Sequence, residues 1–178
     1  MDPFHCIFGE SRIATHFSTS DYAPMNTHSQ IPEPVEKALR ARDAQAVLDE
    51  SIRAFGCQAG TVHWLDAQSG MLRLAAHRNI PETIVQLVAT VPIGKGIAGL
   101  AAQNREPVSL CNLQTDTSGK ARPAAKTTGM EGSLAVPMLV AGELRGVLGV
   151  AMAAAHDWSD AEKSLLLAIA AQLGEARP

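Results

Sequence analysis

An α+β domain is predicted by three observations: two strand-turn-strand patterns, an amphipathic helical pattern ahead of the first, and a second such pattern after the last. The length of 178 residues suits one core with a tail, because two full domains would each be small for independent folding. Residues 1–32 carry Ser18, Thr19, Ser20, Pro24, Asn26 and Pro32 without a sustained period, so an N-terminal arm is expected there and a single domain over 33–178. Met25 offers an alternative start within that arm.

From Glu33 to Phe55 the apolar positions Val35, Leu39, Ala46, Leu48, Ile52 and Phe55 leave a polar face of Glu36, Lys37, Arg40 and Asp49, which predicts one helix ending at Gly56. Thr61 to Asp66 alternates as a strand. After the turn Gln68-Ser69-Gly70, Met71 to His77 returns as its partner, with Leu72, Leu74 and Ala76 on one face. Pro81 to Leu87 reads as a short helix with proline in its first turn. Extended Val91-Pro92-Ile93 then leads into Gly94-Lys95-Gly96-Ile97-Ala98-Gly99, followed by a helix to about Asn104.

Pro107 to Leu113 is a third strand. The polar stretch from Gln114 to Glu131 is long for a connection inside a compact domain, which points to function or a short inner helix. Ser133 to Val140 and Leu144 to Met152 form the clearest hairpin, and Pro137 predicts an edge or bulge within it. Ser159 and Glu162 have capping-box spacing at the start of the last helix, whose core stripe is Leu165, Ile169 and Leu173 with Leu166 facing a neighbour.

Composition narrows the functional classes. A hydrophobic share of 46% with 19% charged residues fits a soluble globular protein, and the 4% aromatic share leaves aliphatic side chains to fill the core. The formal net charge of -3 argues against a nucleic-acid scaffold, and no apolar run approaches the roughly 20 residues of a membrane span. No basic, apolar leader opens the chain, so a cytoplasmic location is expected. Cys6, Cys57 and Cys111 lack metal-site spacing and fit reduced thiols, and no metal or other cofactor is expected.

The glycine stretch has the spacing of a dinucleotide fingerprint but not its setting. Val91-Pro92-Ile93 is too short and proline-broken to be the first strand of a βαβ unit, which argues against a nicotinamide or flavin nucleotide. Two readings remain: a turn that sets a short helix by close packing, or a helix start whose Ile97 and Ala98 N–H groups face a ligand.

The element order, with Ile93-Gly94-Lys95-Gly96-Ile97-Ala98-Gly99, Glu106-Pro107-Val108, Ser133-Leu134-Ala135-Val136-Pro137-Met138, Gly146-Val147-Leu148-Gly149-Val150 and the closing Ser-x-x-Glu helix, resembles that of GAF domains over about residues 35–176. The resemblance implies a GAF/PAS-like, mostly antiparallel sheet of five or six strands. The N- and C-terminal helices would lie on one face, and short helices and loops over a ligand pocket on the other. It also implies a homodimer through the terminal helices, with Leu166 a contact candidate, and signalling through a partner protein, since the sequence carries no kinase, phosphodiesterase, cyclase or helix-turn-helix segment.

On that resemblance the chain reads as a non-catalytic sensor of a small ligand. Trp64, Ile93, Ile97, Ala98, Leu110, Met130, Ser133 and Ala135 are the candidate ligand-binding residues. An inorganic anion such as nitrate fits the helix start with Lys120, Arg122 and Lys126 of the long loop and the hydroxyls of Thr127, Thr128 and Ser133; an uncharged apolar metabolite fits Ile93, Ile97, Leu110, Met130 and Ala135. The alternative is an enzyme like the GAF-type free methionine sulfoxide reductases, with Cys111 as nucleophile. Those enzymes use several cysteines, whereas only Cys111 lies near the expected region here. Bilin and cyclic-nucleotide signatures are absent, and haem would need His63 or His77, whose strand positions fit structural roles better.

Overall fold

The computed structural model describes residues 31–177, so the expected arm up to residue 30, with Cys6 and Met25, lies outside the described residues. Ile31 is buried against the core, so the packed unit already includes it.

The chain runs α1 (Glu33–Arg40), α2 (Ala44–Ala54), β1 (Ala59–Asp66), β2 (Met71–Arg78), α3 (Glu82–Val88), β3 (Thr90–Pro92), α4 (Gly96–Asn104), β4 (Val108–Leu110), α5 (Pro123–Lys126), β5 (Ser133–Val140), β6 (Glu143–Ala151) and α6 (Asp160–Glu175). The strands form one antiparallel sheet in the order β3-β2-β1-β6-β5-β4. This is an α+β fold, with α1, α2 and α6 on one face and α4 on the other.

The single helix expected over Glu33 to Phe55 is two. Arg42 takes a left-handed backbone (φ 55°), which no helix interior tolerates. Asp43 then caps a new helix, its carboxylate accepting from the N–H groups of Gln45 and Ala46 at 3.0 and 3.1 Å. The break lets α1 fold back on α2, so that Val35 and Leu39 join Leu48 and Ile52 in one core, with α2 resting directly on the sheet.

The expected shared face of Leu72, Leu74 and Ala76 is also corrected. Val62 pairs with Ala76 but His63 pairs with Leu74, so β2 holds one extra residue, Ala75, which is exposed. This bulge turns Ala76 into the helical core while Leu72 packs under α4. β1 keeps its alternation: Val62 and Trp64 face the terminal helices, whereas Thr61, His63 and Leu65 face the other layer.

Pro137 sits in β5 just before an irregularity at Met138/Leu139. β4 pairs only with Ser133 to Ala135, so the ladder side of Pro137 away from β6 has no strand partner among the described residues. The capping box of α6 is complete: Ser159 Oγ accepts from the Glu162 N–H at 3.3 Å, and Glu162 accepts from the Ser159 N–H at 2.7 Å. Leu166 is 0% exposed and lies inside the core, so it does not face a neighbour. The true inward stripe is Leu166, Ile169, Ala170 and Leu173, one position round from the expected Leu165.

Candidate functional site

The second face of the sheet is only partly filled. Across the central strands, Thr61 pairs with Gly149 and Gly149 with Ala135, while Ala59 pairs with Ala151 and Ala151 with Ser133. Paired residues share a face, so these small side chains make a low floor where their neighbours Leu72, Val91, Val108 and Val147 pack tightly under α4. The result is a cavity of about 160 Å³. Its roof is Ile84, Leu87 and Val88 from α3, Gly96, Ile97 and Ala98 from α4, Leu113 just before the long loop, and Ala125, Thr128 and Met130 within it. Leu87, a wall residue 54% exposed, marks where the cavity reaches the surface.

The glycine stretch positions the α4 part of this roof. Gly94 and Gly96 have φ of 81° and 67°, the left-handed region where glycine carries no steric cost. Gly94 N–H donates to the Gly99 carbonyl at 2.7 Å, and a Cβ on Gly99 would lie 2.4 Å from the Pro92 carbonyl oxygen. The stretch is therefore a tight knot that presses the first turn of α4 onto the end of β3.

The long loop forms the rest of the roof with its own scaffold. Asp116 accepts from Ser118 Oγ at 2.5 Å and from the Ala121 N–H at 2.9 Å, and these hydrogen bonds hold its carboxyl down at about 2. Lys126 Nζ donates to the carbonyls of Asp116 and Gln114 at 2.9 and 3.5 Å. Thr128 Oγ1 donates to the Ala125 carbonyl at 2.6 Å. The α5 turn and the segment to Met130 are thereby fixed over the floor.

Polar groups in the cavity are few. His63 is 2% exposed, and its Nε2–H donates to the Val88 carbonyl at 2.9 Å. Burial lowers the pKa of the ring, against a smaller opposing effect of that hydrogen bond, so the imidazole is held neutral. Thr61, Thr128 and Ser133 add hydroxyls, and exposed Lys95 and Arg122 stand where the cavity adjoins a shallow cleft. That cleft is lined by Gly94, Lys95, Gly96, Leu100, Lys120 and Arg122 among others.

Of the residues expected at a ligand site, the cavity brings together Ile97, Ala98, Met130, Ser133 and Ala135. Trp64 points to the opposite face, packed on the helical core with the Arg177 guanidinium 5.5 Å above its ring. Ile93 is 40% exposed beyond the end of β3, and Leu110 stands in the edge strand outside the cavity wall. Lys126, expected beside an anion, is spent on loop carbonyls. The reading of the residues missed Thr61, His63, Ile84, Leu87, Val88 and Leu113 as wall residues. The alternating small residues at 133, 135, 149 and 151 carried the signal for a hollow above the sheet.

Neither described thiol lies in the cavity wall. Cys111 is exposed, and a hydrogen bond with Asp157 raises its pKa, with burial a lesser cause. Cys57 is buried in the helical core, where desolvation, helped by Glu162, pushes it up to about 12. Among the described residues no group of three or more His, Cys, Asp or Glu is placed to hold a metal, and no helix is long and apolar enough to cross a membrane.

The family model described as "GAF domain" matches residues 44–177. The GAF domain of a phosphoenolpyruvate-protein phosphotransferase from Acinetobacter superposes with a TM-score of 0.65 at 20% identity, over 80% of this chain and 89% of that one. Free methionine-R-sulfoxide reductase from Neisseria meningitidis, solved in complex with its substrate, gives a TM-score of 0.65 at 19% identity over 92% of this chain and 94% of that one. A domain from Sinorhizobium meliloti 1021, described as part of a two-component sensor histidine kinase, gives 0.59 at 22% identity over 81% and 90%. At these identities the likeness is one of fold. No curated protein matches the chain.

Proposed function

We propose that this chain, which belongs to the GAF domain family, is a sensory module that binds a small, largely apolar molecule without transforming it. The observation that carries this reading is the cavity between the sheet and the α3-α4-loop layer, about 160 Å³ in volume and walled mainly by aliphatic side chains. An apolar cavity of roughly 150 Å³ is large enough to take up benzene. Burial of the ligand's apolar surface would supply the affinity, at about 25 cal/mol per Å² before ordering costs.

A reductase activity with Cys111 as nucleophile finds less support. The exposed thiol is outside the cavity wall, its raised pKa leaves less reactive thiolate, and the other described cysteine is buried beneath the opposite face of the sheet. The second reading that an observation favours is a small anion such as nitrate. Lys95, Lys120 and Arg122 line one cleft beside Gly94 and Gly96, and an anion would bind there, where the cleft adjoins the apolar cavity.

Signalling would follow from ligand contact with Leu113, Ala125, Thr128 and Met130. A ligand that binds one arrangement of residues 113–130 better than another shifts the balance between them, and only that difference carries a signal. A homodimer through the terminal helices would use the half-exposed Leu165, Leu167 and Ala168 of α6 in place of buried Leu166, and a cytoplasmic setting suits reduced Cys57 and Cys111. Thermal unfolding across a panel of small aromatic compounds, metabolites and inorganic anions tests the reading. Stabilisation by apolar compounds is the expected result; stabilisation by nitrate alone would move the site to the basic cleft, and turnover of free methionine sulfoxide would overturn the non-catalytic assignment.

A further inference from the structure

His63 carries a hydrogen-bond acceptor that the described protein leaves unused. Its Nε2–H is engaged with the Val88 carbonyl, so Nδ1 is the lone-pair nitrogen of the neutral ring. Nδ1 is buried and has no hydrogen-bond partner. Buried polar atoms are rarely left so, and an orphan on a residue of the cavity wall calls for a partner, a water or a ligand. The same wall is largely apolar, with Ile84 and Leu87 from α3 and Val91 from β3. Thr128 Oγ1 already donates to Ala125.

We propose that His63 Nδ1 is the polar anchor of the cavity's ligand, and that the ligand is a small uncharged molecule with an apolar body and an O–H or N–H group that donates to it. The inference rests on reading the cavity as a ligand site. Nitrate has no proton to offer and would meet a lone pair, whereas a phenol-like or pyrrole-like donor pairs with it. Burial, opposed by the weaker effect of the Val88 hydrogen bond, keeps the ring neutral.

Phenol and toluene, which differ by hydroxyl against methyl, are the probes, titrated by calorimetry into the full chain and its His63→Phe variant. Phenyl keeps a flat ring in the wall but removes both the Nδ1 acceptor and the Nε2–H donor to Val88, and a structural disturbance from the lost Val88 bond moves both affinities together. The expected result is that the phenol-to-toluene affinity ratio falls about tenfold from wild type to variant, the order expected for one hydrogen bond to a buried acceptor. An unchanged ratio overturns the anchor and leaves the cavity reading intact. Failure of both probes to bind the wild type overturns the cavity reading itself. Histidine 15N NMR of the wild type is independent of the variant's folding. It should show Nδ1 unprotonated and its resonance moving with phenol but not toluene; a protonated Nδ1, or no movement with phenol, overturns the inference.

Discussion

Replacing Gly99 by alanine tests the part of the structure that fixes the roof of the cavity. In an open helix the change would stabilise by about 1 kcal/mol, because alanine restricts the unfolded chain and favours helix. At Gly99 the new Cβ would lie 2.4 Å from the Pro92 carbonyl oxygen and 3.2 Å from the Gly94 nitrogen. Both are backbone atoms, and Gly94 N–H is itself tied to the Gly99 carbonyl at 2.7 Å, so no side chain can swing aside to relieve the clash. Overpacking of this kind costs about 3 kcal/mol at the upper end of its usual range, which leaves a net loss of about 2 kcal/mol after the helix gain. In a domain of this size that corresponds to a melting temperature lower by about 4–8 °C, read by circular dichroism or calorimetry. A melting temperature equal to or above that of the wild type would refute the tight approach of α4 to β3.

Acid should destabilise the protein in two separate windows. The folded pKa of His63 is lowered, so the unfolded chain takes up the proton first and stability falls as pH drops below the ordinary value of 6.5; His63→Phe should remove that slope in pH-dependent urea unfolding. Asp49, Asp66, Asp116 and Glu162 also have lowered pKa values, but their stabilisation is lost only as pH falls below their ordinary values of 3.8 and 4.5, and that second loss should persist in the variant. Ser159→Ala removes both the acceptor for the Glu162 N–H and the hydroxyl that donates to Glu162 at 2.6 Å, and should cost about 1 kcal/mol in urea unfolding. Peptide-resolved alkylation of the native protein should label Cys111 and spare Cys57 until urea unfolds the core; early labelling of Cys57 would contradict its burial.

The parts of the fold that were legible in the sequence are those decided locally. The β5-β6 hairpin follows from two apolar runs around Ala141-Gly142, and α6 from the Ser159/Glu162 pair. The break between α1 and α2 was harder to read, because it depends on one left-handed residue, Arg42, inside an otherwise continuous helical pattern. The face of Ala76 depends on a bulge set by pairing with β1, which no local pattern in β2 records. Leu165 and Leu166 are adjacent in a nearly all-apolar segment, so periodicity alone does not choose which one faces the sheet. The site divides in the same way. Ile97, Ala98, Met130, Ser133 and Ala135 follow from the family pattern, whereas His63 and the α3 wall become visible only when β1 is placed opposite Val88. Trp64, a candidate ligand residue, is sent by the alternation of β1 to the face opposite His63.

On the proposed function, the hollow above Thr61, Ala135 and Gly149 takes up a small apolar molecule. Backbone amide shift mapping by NMR, with phenol titrated into 15N-labelled protein, tests it most directly. Saturable shifts centred on Thr61, His63, Ile97, Ala98, Met130 and Ala135 are expected, lost when Ala135→Phe fills the floor. Shifts confined to Lys95, Lys120 and Arg122, or none that saturate, would contradict it.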